Sequence, residues 1–346
     1  MLQAQIVRMP PFAPGEWRNS SPLTREQLLG RVILIDFWEY TCVNCIRTLP
    51  YLRAWHDRYE PLGLTIIGVH APEFKFGRVA SQVEQAIEEF ELGYPILIDN
   101  YMKTWDAYAN RAWPTKYLID NQGYIRHSRR GEGGYEETEE AIQQLLRQRD
   151  PDVSLPDLMP PLREEDKAGA VCYPATPEIY AGYASGLLGA ALGNPSGYEI
   201  DAPIVYIAPA SYERNVGRFY LGGFWQASAE YVAFAGKEEG HVFLPYEGVT
   251  VNAVLSPIGD EVALRLGLGD SAIVEVRQDG RRLEPLIAGD DVQFDETGMS
   301  YVTVDRPRMY ELVRNPNFGF HDLELIFYTS KSALYSFTLT SCVIAN

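Results

Sequence analysis

One short stretch constrains this chain more than any other, and it reads Phe37-Trp38-Glu39-Tyr40-Thr41-Cys42-Val43-Asn44-Cys45. Its two cysteines stand three positions apart, directly after an apolar run and at the start of an amphipathic one. Unpaired backbone N–H groups and the dipole at a helix N-terminus stabilise a thiolate, so we expect a lowered pKa for Cys42. Cys42 is therefore the predicted nucleophile on a substrate disulfide, and Cys45, one turn further and less exposed, is predicted to resolve the mixed disulfide.

The cysteine pair has two other interpretations, half of a zinc site or two unrelated core cysteines. A structural zinc ion takes four ligands, yet no second pair with this spacing and no paired histidines follow in the sequence. Four cysteines in 346 residues are also too few for a disulfide-built scaffold. Redox chemistry through a Cys42–Cys45 disulfide is the favoured interpretation, without a metal or any other cofactor.

Length and composition limit the number of domains, the class of protein and the kinds of partner that the chain can have. The 346 residues are enough for two domains, and 46% apolar with 22% charged residues is typical of a folded protein. The chain has no apolar run of about 18 residues that would predict a transmembrane segment. Its first residues lack the pattern of a signal peptide, so the expected location is the cytoplasm. A net charge of −17 disfavours nucleic acid as a partner.

Residues 1–150 alternate between predicted strands and helices. Segments with helical spacing of apolar residues lie between the predicted strands. A turn then joins the last two strands as a hairpin, and a further helix is predicted over residues 136–149. This order implies an α/β domain with a mixed sheet covered by helices on both faces. Apolar runs predict buried strands at residues 32–35 and 64–69, and a third and a fourth strand are predicted at residues 95–98 and 116–119.

The composition changes after residue 150. Six prolines over residues 151–177 predict a stiff linker or a strap over the surface. Later, short β-rich segments alternate with turn residues, at residues 216–225, 230–234, 240–244, 248–255, 272–277, 301–304, 308–313, 323–329 and 333–343. Many short strands at roughly even spacing predict an all-β sandwich or jelly roll over residues 178–346.

The redox motif and its surroundings resemble the thioredoxin superfamily. The additional helix and strand over residues 79–98 are similar to the TlpA and ResA-like branch. Longer stretches at residues 37–52, 70–74 and 131–135 resemble the soluble region of DipZ-type proteins, which ends in a carbohydrate-binding-module-like jelly roll. The resemblance to the superfamily is carried by an acid, a tryptophan, the two cysteines, a proline and a cis-proline-like loop, namely Asp36, Trp38, Cys42, Cys45, Pro50 and Trp113-Pro114-Thr115.

The resemblance implies roles for two acids. Asp36 corresponds to the buried carboxyl that exchanges protons with Cys45, although a solvated carboxylate at a strand end is an alternative. Burial without a cation raises a carboxyl pKa, as a proton shuttle near neutral pH requires. Glu73 matches an acid of the ResA-like branch, and a helix-capping carboxylate explains it equally well.

The resemblance also implies a substrate-binding surface at Trp38, Trp113, Pro114 and Thr115. Pro114 is expected to be cis and to face the two sulfurs, with neighbouring backbone pairing with an extended peptide. A trans turn proline is the alternative. Trp38 is expected to pack beside the site and shield it, and Pro50 to kink the helix.

The motif departs from its relatives at three points. Val43-Asn44 stands where thioredoxin has Gly-Pro, and Thr41 replaces the exposed tryptophan of thioredoxin. The reducing strength therefore does not follow from the resemblance. Glu39 stands where a peroxiredoxin has threonine, which disfavours peroxidase activity.

Cys172 and Cys342 lie near the beginning and end of the C-terminal region. The first and last strands of a sandwich are often neighbours, so the two cysteines either form a structural disulfide or remain two buried thiols. A disulfide would favour an oxidising compartment. The family resemblance also implies an extracytoplasmic location, which is the alternative to the cytoplasm.

The C-terminal region offers weaker candidates for binding. Its one tryptophan, Trp225, and its tyrosines are expected in the core more often than on a sugar-binding platform. The acidic residues Asp290-Asp291 and Asp295-Glu296 are more typical of a solvated loop than of a calcium site. His70 and His127 are expected at strand ends or on the surface.

These observations favour a thiol–disulfide oxidoreductase that reduces protein disulfides, with the C-terminal domain for docking. The alternative function is a binding protein whose sandwich recognises a glycan or a protein partner. Metal delivery by the cysteine pair is a third possibility. In the leading interpretation an external electron donor must reduce Cys42 and Cys45 again.

Overall fold

Two units divide the chain, Met1–Asp166 and Lys167–Asn346, which we call the N-terminal and C-terminal units. The computed structural model describes residues 2–184, 191–258 and 271–344. The described N-terminal unit also has single 3₁₀ turns at Lys75–Arg78 and Glu164–Asp166. Its strands and helices are β1 (Glu16–Arg18), α1 (Arg25–Leu28), β2 (Val32–Trp38), α2 (Val43–Tyr59), β3 (Leu64–His70), α3 (Ala80–Glu89), β4 (Ile96–Ile98), α4 (Lys103–Ala107), β5 (Thr115–Ile119), β6 (Ile125–Arg130) and α5 (Tyr135–Arg149).

The N-terminal sheet has the strand order β1-β4-β3-β2-β5-β6. Strands β2, β3 and β4 are parallel, whereas β5 and β6 form an antiparallel hairpin beside β2. Every residue of β2 is buried, because this central strand has partners on both edges and helices cover both faces of the sheet. The predicted thioredoxin fold, including the additional α3 and β4, is confirmed.

An aromatic and aliphatic core holds β2 in place. Phe37 meets Trp105 edge-on, with ring centroids 5.8 Å apart, and packs against Tyr108 and Tyr117 as well. Burying such side chains gives the largest share of the free energy of folding. The end of β2, from which the cysteine motif continues, is therefore a rigid point of the fold.

Residues 151–166 lie as a strap against the N-terminal unit. The backbone N–H of Met159 donates to Glu139 in α5 at 3.0 Å, and that of Leu162 donates to the hydroxyl of Tyr51 in α2 at 2.8 Å. Arg163 pairs with Glu132 at 2.6 Å. The first part of the predicted proline-rich segment is thus fixed by side chains of α2 and α5.

The described C-terminal unit is built of antiparallel strands and confirms the predicted β-sandwich class. Its jelly-roll connectivity stays a prediction. The strands are β7 (Ala170–Cys172), β8 (Ile179–Tyr180), β9 (Pro203–Tyr206), β10 (Tyr220–Ala227), β11 (Val232–Phe234), β12 (Gly240–Pro257), β13 (Ala272–Gln278), β14 (Arg281–Arg282), β15 (Gln293–Phe294), β16 (Ser300–Val304), β17 (Arg308–Phe327), β18 (Ser332–Thr340) and β19 (Cys342–Ile344).

Two strands of the C-terminal unit are longer than the sequence predicts. The segments 240–244 and 248–255, expected as separate strands, are one 18-residue strand, β12. Likewise, 308–313 and 323–329 belong to β17, which has 20 residues. A register shift between Gly248 and Thr250 lets the chain bend without leaving the sheet.

Among the described residues, eleven strands form one sheet, and β7 and β19 form a separate two-stranded sheet. A buried cluster that runs from Ile179 to Leu339 forms the core of the unit and includes Trp225. No helix in the described part of the chain is long and apolar enough to cross a membrane.

Candidate active site

Cys42 caps the N-terminus of α2, at the junction that the sequence predicts. Its sulfur accepts a hydrogen bond of 3.2 Å from the backbone N–H of Cys45. Cys42 is half-buried and Cys45 is buried, and both are free thiols. The structure thus gives one sulfur an opening to a substrate and shields the other, as attack and resolution require.

The pKa of Cys42 does not follow the expectation. Burial raises it, and the carboxylates of Glu73 and Glu39 act in the same direction, whereas the thiol and backbone N–H of Cys45 act against them. The predicted lowering is wrong because the sulfur is packed among protein atoms at the helix end, and two acids stand near it. Ionisation of the Cys42 thiol therefore depends on how an approaching substrate changes the surroundings of its sulfur.

The thiol of Cys45 is harder to ionise than that of Cys42. Burial raises its pKa well above the usual value, and the neighbouring Cys42 and Asp36 add to the effect. A resolving thiolate at Cys45 needs a group nearby that takes its proton at the moment of attack.

Asp36 lies in β2 and is almost completely buried. Both of its carboxyl oxygens lack a hydrogen-bond partner among the described residues. Burial raises the pKa of Asp36 to about 7, and Lys116 opposes the rise. The alternative of a solvated strand-end carboxylate is wrong, because this strand is central and covered. A carboxyl that titrates near neutral pH beside Cys45 is suited to receive and return a proton.

Lys116 is the main residue that sequence reasoning missed. It lies in β5 as the register partner of Asp36, with no exposed surface and no hydrogen-bond partner for its Nζ among the described residues. Burial lowers the pKa of Lys116, and Asp36 and Cys45 oppose that shift. The available signal was a lysine at the start of a predicted strand, two positions after Pro114.

Replacing the buried ammonium tests its effect on Asp36. In Lys116→Met we expect the pKa of Asp36 to rise from about 7, by about one unit or more, because an opposite charge close to the carboxylate is lost. The carboxyl signal of Asp36 in a carbon-detected NMR titration measures this shift. Lys103→Met, at an exposed position of α4, is the control, and an equal titration of all three proteins would contradict the assignment.

Glu39 is a second buried group near Cys42 whose burial the sequence did not reveal. Glu39 is fully buried, and its Oε2 accepts hydrogen bonds from the backbone N–H and the hydroxyl of Thr41. Its Oε1 lies 3.7 Å from Nε2 of His70, which is also fully buried. His70 is at the end of β3, as expected, but it is not on the surface. His127 lies buried inside β6, so neither alternative expected for it is correct.

Trp38 has no exposed surface and meets His70 edge-on, with ring centroids 5.3 Å apart. A side chain buried in this way packs beneath the site and shields it, whereas contact with a substrate would need exposed surface. The predicted shielding role fits this position, and the substrate-binding role does not.

The loop before β5 lies against the end of β2. The Trp113–Pro114 peptide bond is cis, as predicted. The indole N–H of Trp113 donates to the carbonyl of Ala71 at 3.0 Å, and Thr115 pairs in register with Phe37. Pro114 is buried and Trp113 is half-buried. The structure therefore brings this loop to the strand end from which the cysteine motif continues.

Glu73 follows β3 and is half-buried. Its carboxylate is close enough to raise the pKa of Cys42, so the structure brings this predicted residue to the site. With Asp36 and Glu39, three acids surround the two sulfurs, and Lys116 is the buried cation among them.

The candidates of the C-terminal unit have other surroundings. Cys172 and Cys342 form a disulfide between β7 and β19. Asp291 pairs with Arg308 at 2.7 Å, and Asp290 with Arg314 at 2.8 Å. The described residues include no cluster of metal-ligating side chains. The aromatic residues that lie in its core, instead of on a platform, are Tyr206, Tyr220, Trp225 and Tyr246.

Two family models match the chain. Residues 13–128 match the AhpC/TSA family, and residues 176–339 match the thioredoxin-like C-terminal domain. The protein DipZ of Mycobacterium tuberculosis is 34% identical over 254 residues, which are 72% of this chain and 35% of DipZ. The chain thus spans about a third of the length of the DipZ relatives.

Shorter relatives match less than half of the chain. The thiol-disulfide oxidoreductase YkuV of Bacillus subtilis is 30% identical over 144 residues, which are 40% of this chain and 96% of YkuV. The solution structure of a thioredoxin-like protein in its oxidised form is also 30% identical, with a TM-score of 0.38, and the match covers 41% of this chain and 97% of that one. With a half-exposed and a buried cysteine at the start of α2, and with YkuV matched over nearly its full length, this chain belongs to the thioredoxin-like thiol–disulfide oxidoreductases.

Proposed function

We propose that the protein reduces disulfides of other proteins with the Cys42–Cys45 dithiol. The observation that carries the proposal is the arrangement of the two cysteines at the start of α2. Cys42 is the more exposed of the two, and its sulfur accepts a hydrogen bond from the backbone N–H of the buried Cys45. An opening to solvent lets Cys42 attack, and shielding keeps Cys45 for the second step. The two thiols supply the redox chemistry, so the proposed reaction needs no added cofactor.

The reaction has two exchange steps. The thiolate of Cys42 attacks one sulfur of the substrate disulfide, a mixed disulfide forms, and the other substrate sulfur leaves as a thiolate. Cys45 then loses its proton to Asp36 and attacks Cys42, which releases the second substrate sulfur. The products are a Cys42–Cys45 disulfide and a reduced substrate. An external electron donor then restores the dithiol.

Buried charges support the second step. Burial holds the pKa of Asp36 at about 7, so its carboxylate is available above that pH and returns the proton readily. Lys116 stands opposite in the sheet register, where its ammonium stabilises negative charge on Asp36 and on Cys45. The cis-proline loop lies at the end of β2, in position for an extended substrate segment to pair with backbone near Pro114.

Reduction of insulin disulfides tests the proposal. The reduced wild-type protein should precipitate the insulin B chain, and Cys42→Ser should lose the activity to the level of the uncatalysed reaction. Cys45→Ser should instead accumulate a mixed disulfide with insulin through Cys42. Equal rates for wild type and Cys42→Ser would contradict the function, and a metal-loaded reduced protein after metal challenge would favour metal delivery.

We further propose that the C-terminal unit docks a partner protein. Its one tryptophan, Trp225, and the tyrosines Tyr206 and Tyr246 lie in the core and are unavailable as a flat surface for sugar rings, whereas Tyr212 is exposed. Binding of the full chain to a glycan array would contradict this assignment and favour the alternative of a glycan-binding protein.

The disulfide of the C-terminal unit supports an oxidising compartment as the place of action. Labelling of unlysed cells of the native host with a membrane-impermeant thiol reagent, after addition of an impermeant reductant, tests this proposal. The cysteines of this protein should be labelled, and labelling only after lysis would support the cytoplasm.

A further inference from the structure

We propose that Cys172 and Cys342 form a second exchangeable disulfide, which the Cys42–Cys45 dithiol of this protein reduces. The inference rests on the proposed function, because it names a disulfide of this same chain as a substrate. Its argument comes from where the second pair lies in the C-terminal unit.

The first observation is access to sulfur. Cys172 is exposed and Cys342 is half-buried. Thiol–disulfide exchange requires a thiolate to reach one sulfur of the bond, so a disulfide that is open to solvent exchanges more readily than one enclosed in a core. Val171 and Tyr173 on either side of Cys172 are exposed as well, which leaves the approach to this sulfur open.

The second observation is the position of the pair outside the core. The buried cluster of the unit runs from Ile179 to Leu339 and includes neither cysteine. Residues 176–339 match the family's domain model, and both cysteines fall outside them. Opening the disulfide thus leaves the packed interior of the sandwich as it is.

The third observation is the shape of the segment that carries Cys172. β7 and β19 pair only with each other in the described part of the chain, with Cys172 opposite Cys342. Each strand of a two-stranded sheet keeps one edge without a partner strand. An extended backbone with an open edge is the form in which a peptide adds to an existing strand or loop. β7 therefore has the shape that we propose for substrates beside Pro114.

The exchange balances between two copies of this protein. The thiolate of Cys42 of one copy attacks Sγ of Cys172 of the other, and Cys342 leaves as a thiolate that takes a proton from water. Cys45 then attacks Cys42 and releases Cys172. Two electrons pass from the dithiol to the second pair, which leaves a Cys42–Cys45 disulfide and free thiols at Cys172 and Cys342.

Two full-length variants separate the donor from the acceptor. The donor is Cys172→Ala/Cys342→Ala, reduced and freed of reductant, and the acceptor is Cys42→Ala/Cys45→Ala with its disulfide intact. After mixing at tenfold donor excess, acid quenching and alkylation, mass spectrometry counts the thiols of each protein. We expect most of the acceptor to gain two alkyl groups, while one donor molecule for each reduced acceptor, about a tenth of the donor, loses two. A donor that also carries Cys42→Ala is the matched control and should transfer nothing.

The insulin assay on the same donor separates the two possible failures. A donor that reduces insulin but leaves the acceptor bridged would overturn this inference and leave the proposed function intact. A donor that reduces neither would contradict the proposed function itself.

A measurement on the wild-type chain covers the case of a variant that does not fold. Equilibration in graded mixtures of reduced and oxidised dithiothreitol, with peptide mapping of both pairs in each sample, compares their reduction directly. Reduction of both pairs over the same range of mixtures supports the inference. A Cys172–Cys342 bond that persists after Cys42 and Cys45 are fully reduced overturns it.

Discussion

Asp36→Asn should resolve mixed disulfides about 100-fold more slowly than wild type at pH 8, the lower end of general acid–base effects. The reason lies in the burial of Cys45, which raises the pKa of its thiol well above the usual value. The substitution removes the carboxyl that has a pKa of about 7 and lies close enough to Cys45 to influence its ionisation. Rapid acid quenching and mass spectrometry of the mixed disulfide with a peptide substrate measure the rate of its decay.

The pH profile separates a proton-transfer role from a structural one. In wild type the rate of resolution should rise with pH through about 7, because Asp36 accepts the proton only after it has lost its own. In Asp36→Asn this inflection should vanish, leaving only the rise that follows Cys45. Asp106→Asn, at an exposed position of α4, is the control. A variant that keeps the wild-type inflection would show that another group takes the proton.

The sequence was sufficient for the parts of the site that depend on local chain chemistry. The apolar run of β2 and the cysteine at the start of α2 are neighbours in the sequence, and the Trp113-Pro114 loop directly precedes the predicted strand that becomes β5. A strand followed by a helix N-terminus places Cys42 by local geometry alone, and an X-Pro bond is the usual place for a cis peptide.

The buried charges could not be predicted in the same way. Asp36 and Lys116 are 80 positions apart, and only the antiparallel register of β2 and β5 brings them together. A lysine in an apolar run reads as an exposed position, since charged side chains are rarely buried without a partner. Glu39 and His70 are likewise joined by two strands that run side by side.

The sequence prediction wrongly interrupted β12 at residues 245–247. Pro245 is one of these residues, yet it lies in β12. Strand β10 pairs with β12 only over His241–Phe243, so Pro245 has no neighbour on that side whose hydrogen bond it would remove. A proline is tolerated in a strand wherever its missing N–H faces no partner.

The same buried carboxyl that serves exchange should make the N-terminal unit less stable as pH rises. The folded unit keeps the proton of Asp36 up to about pH 7, whereas the unfolded chain releases it near the ordinary value of 3.8. Between these values the folded state binds more protons than the unfolded state, so the free energy of unfolding falls with increasing pH. The difference of about three pKa units corresponds to a total loss of about 4 kcal/mol.

The comparison with Asp36→Asn isolates this loss from the other titrating groups. Relative to the variant, wild type should lose about 4 kcal/mol of unfolding free energy between pH 4 and pH 8, and little more above that. Urea unfolding followed by tryptophan fluorescence reports on the N-terminal unit, because five of the six tryptophans lie in residues 1–150. At pH 8 the gain in unfolding free energy of Asp36→Asn over wild type should be smaller than the loss that wild type shows between pH 4 and pH 8. The reason is that the variant leaves Lys116 as a buried ammonium without its carboxylate.

Asp106→Asn again provides the matched control, because its stability should follow that of wild type at every pH. Parallel curves for wild type and Asp36→Asn would mean that Asp36 ionises at the same pH in the folded and the unfolded chain. In that case burial would not raise its pKa, and the proton acceptor for Cys45 would have to be a different group. A difference that grows between pH 4 and pH 7 would show that the carboxyl needed for exchange destabilises the fold that holds it.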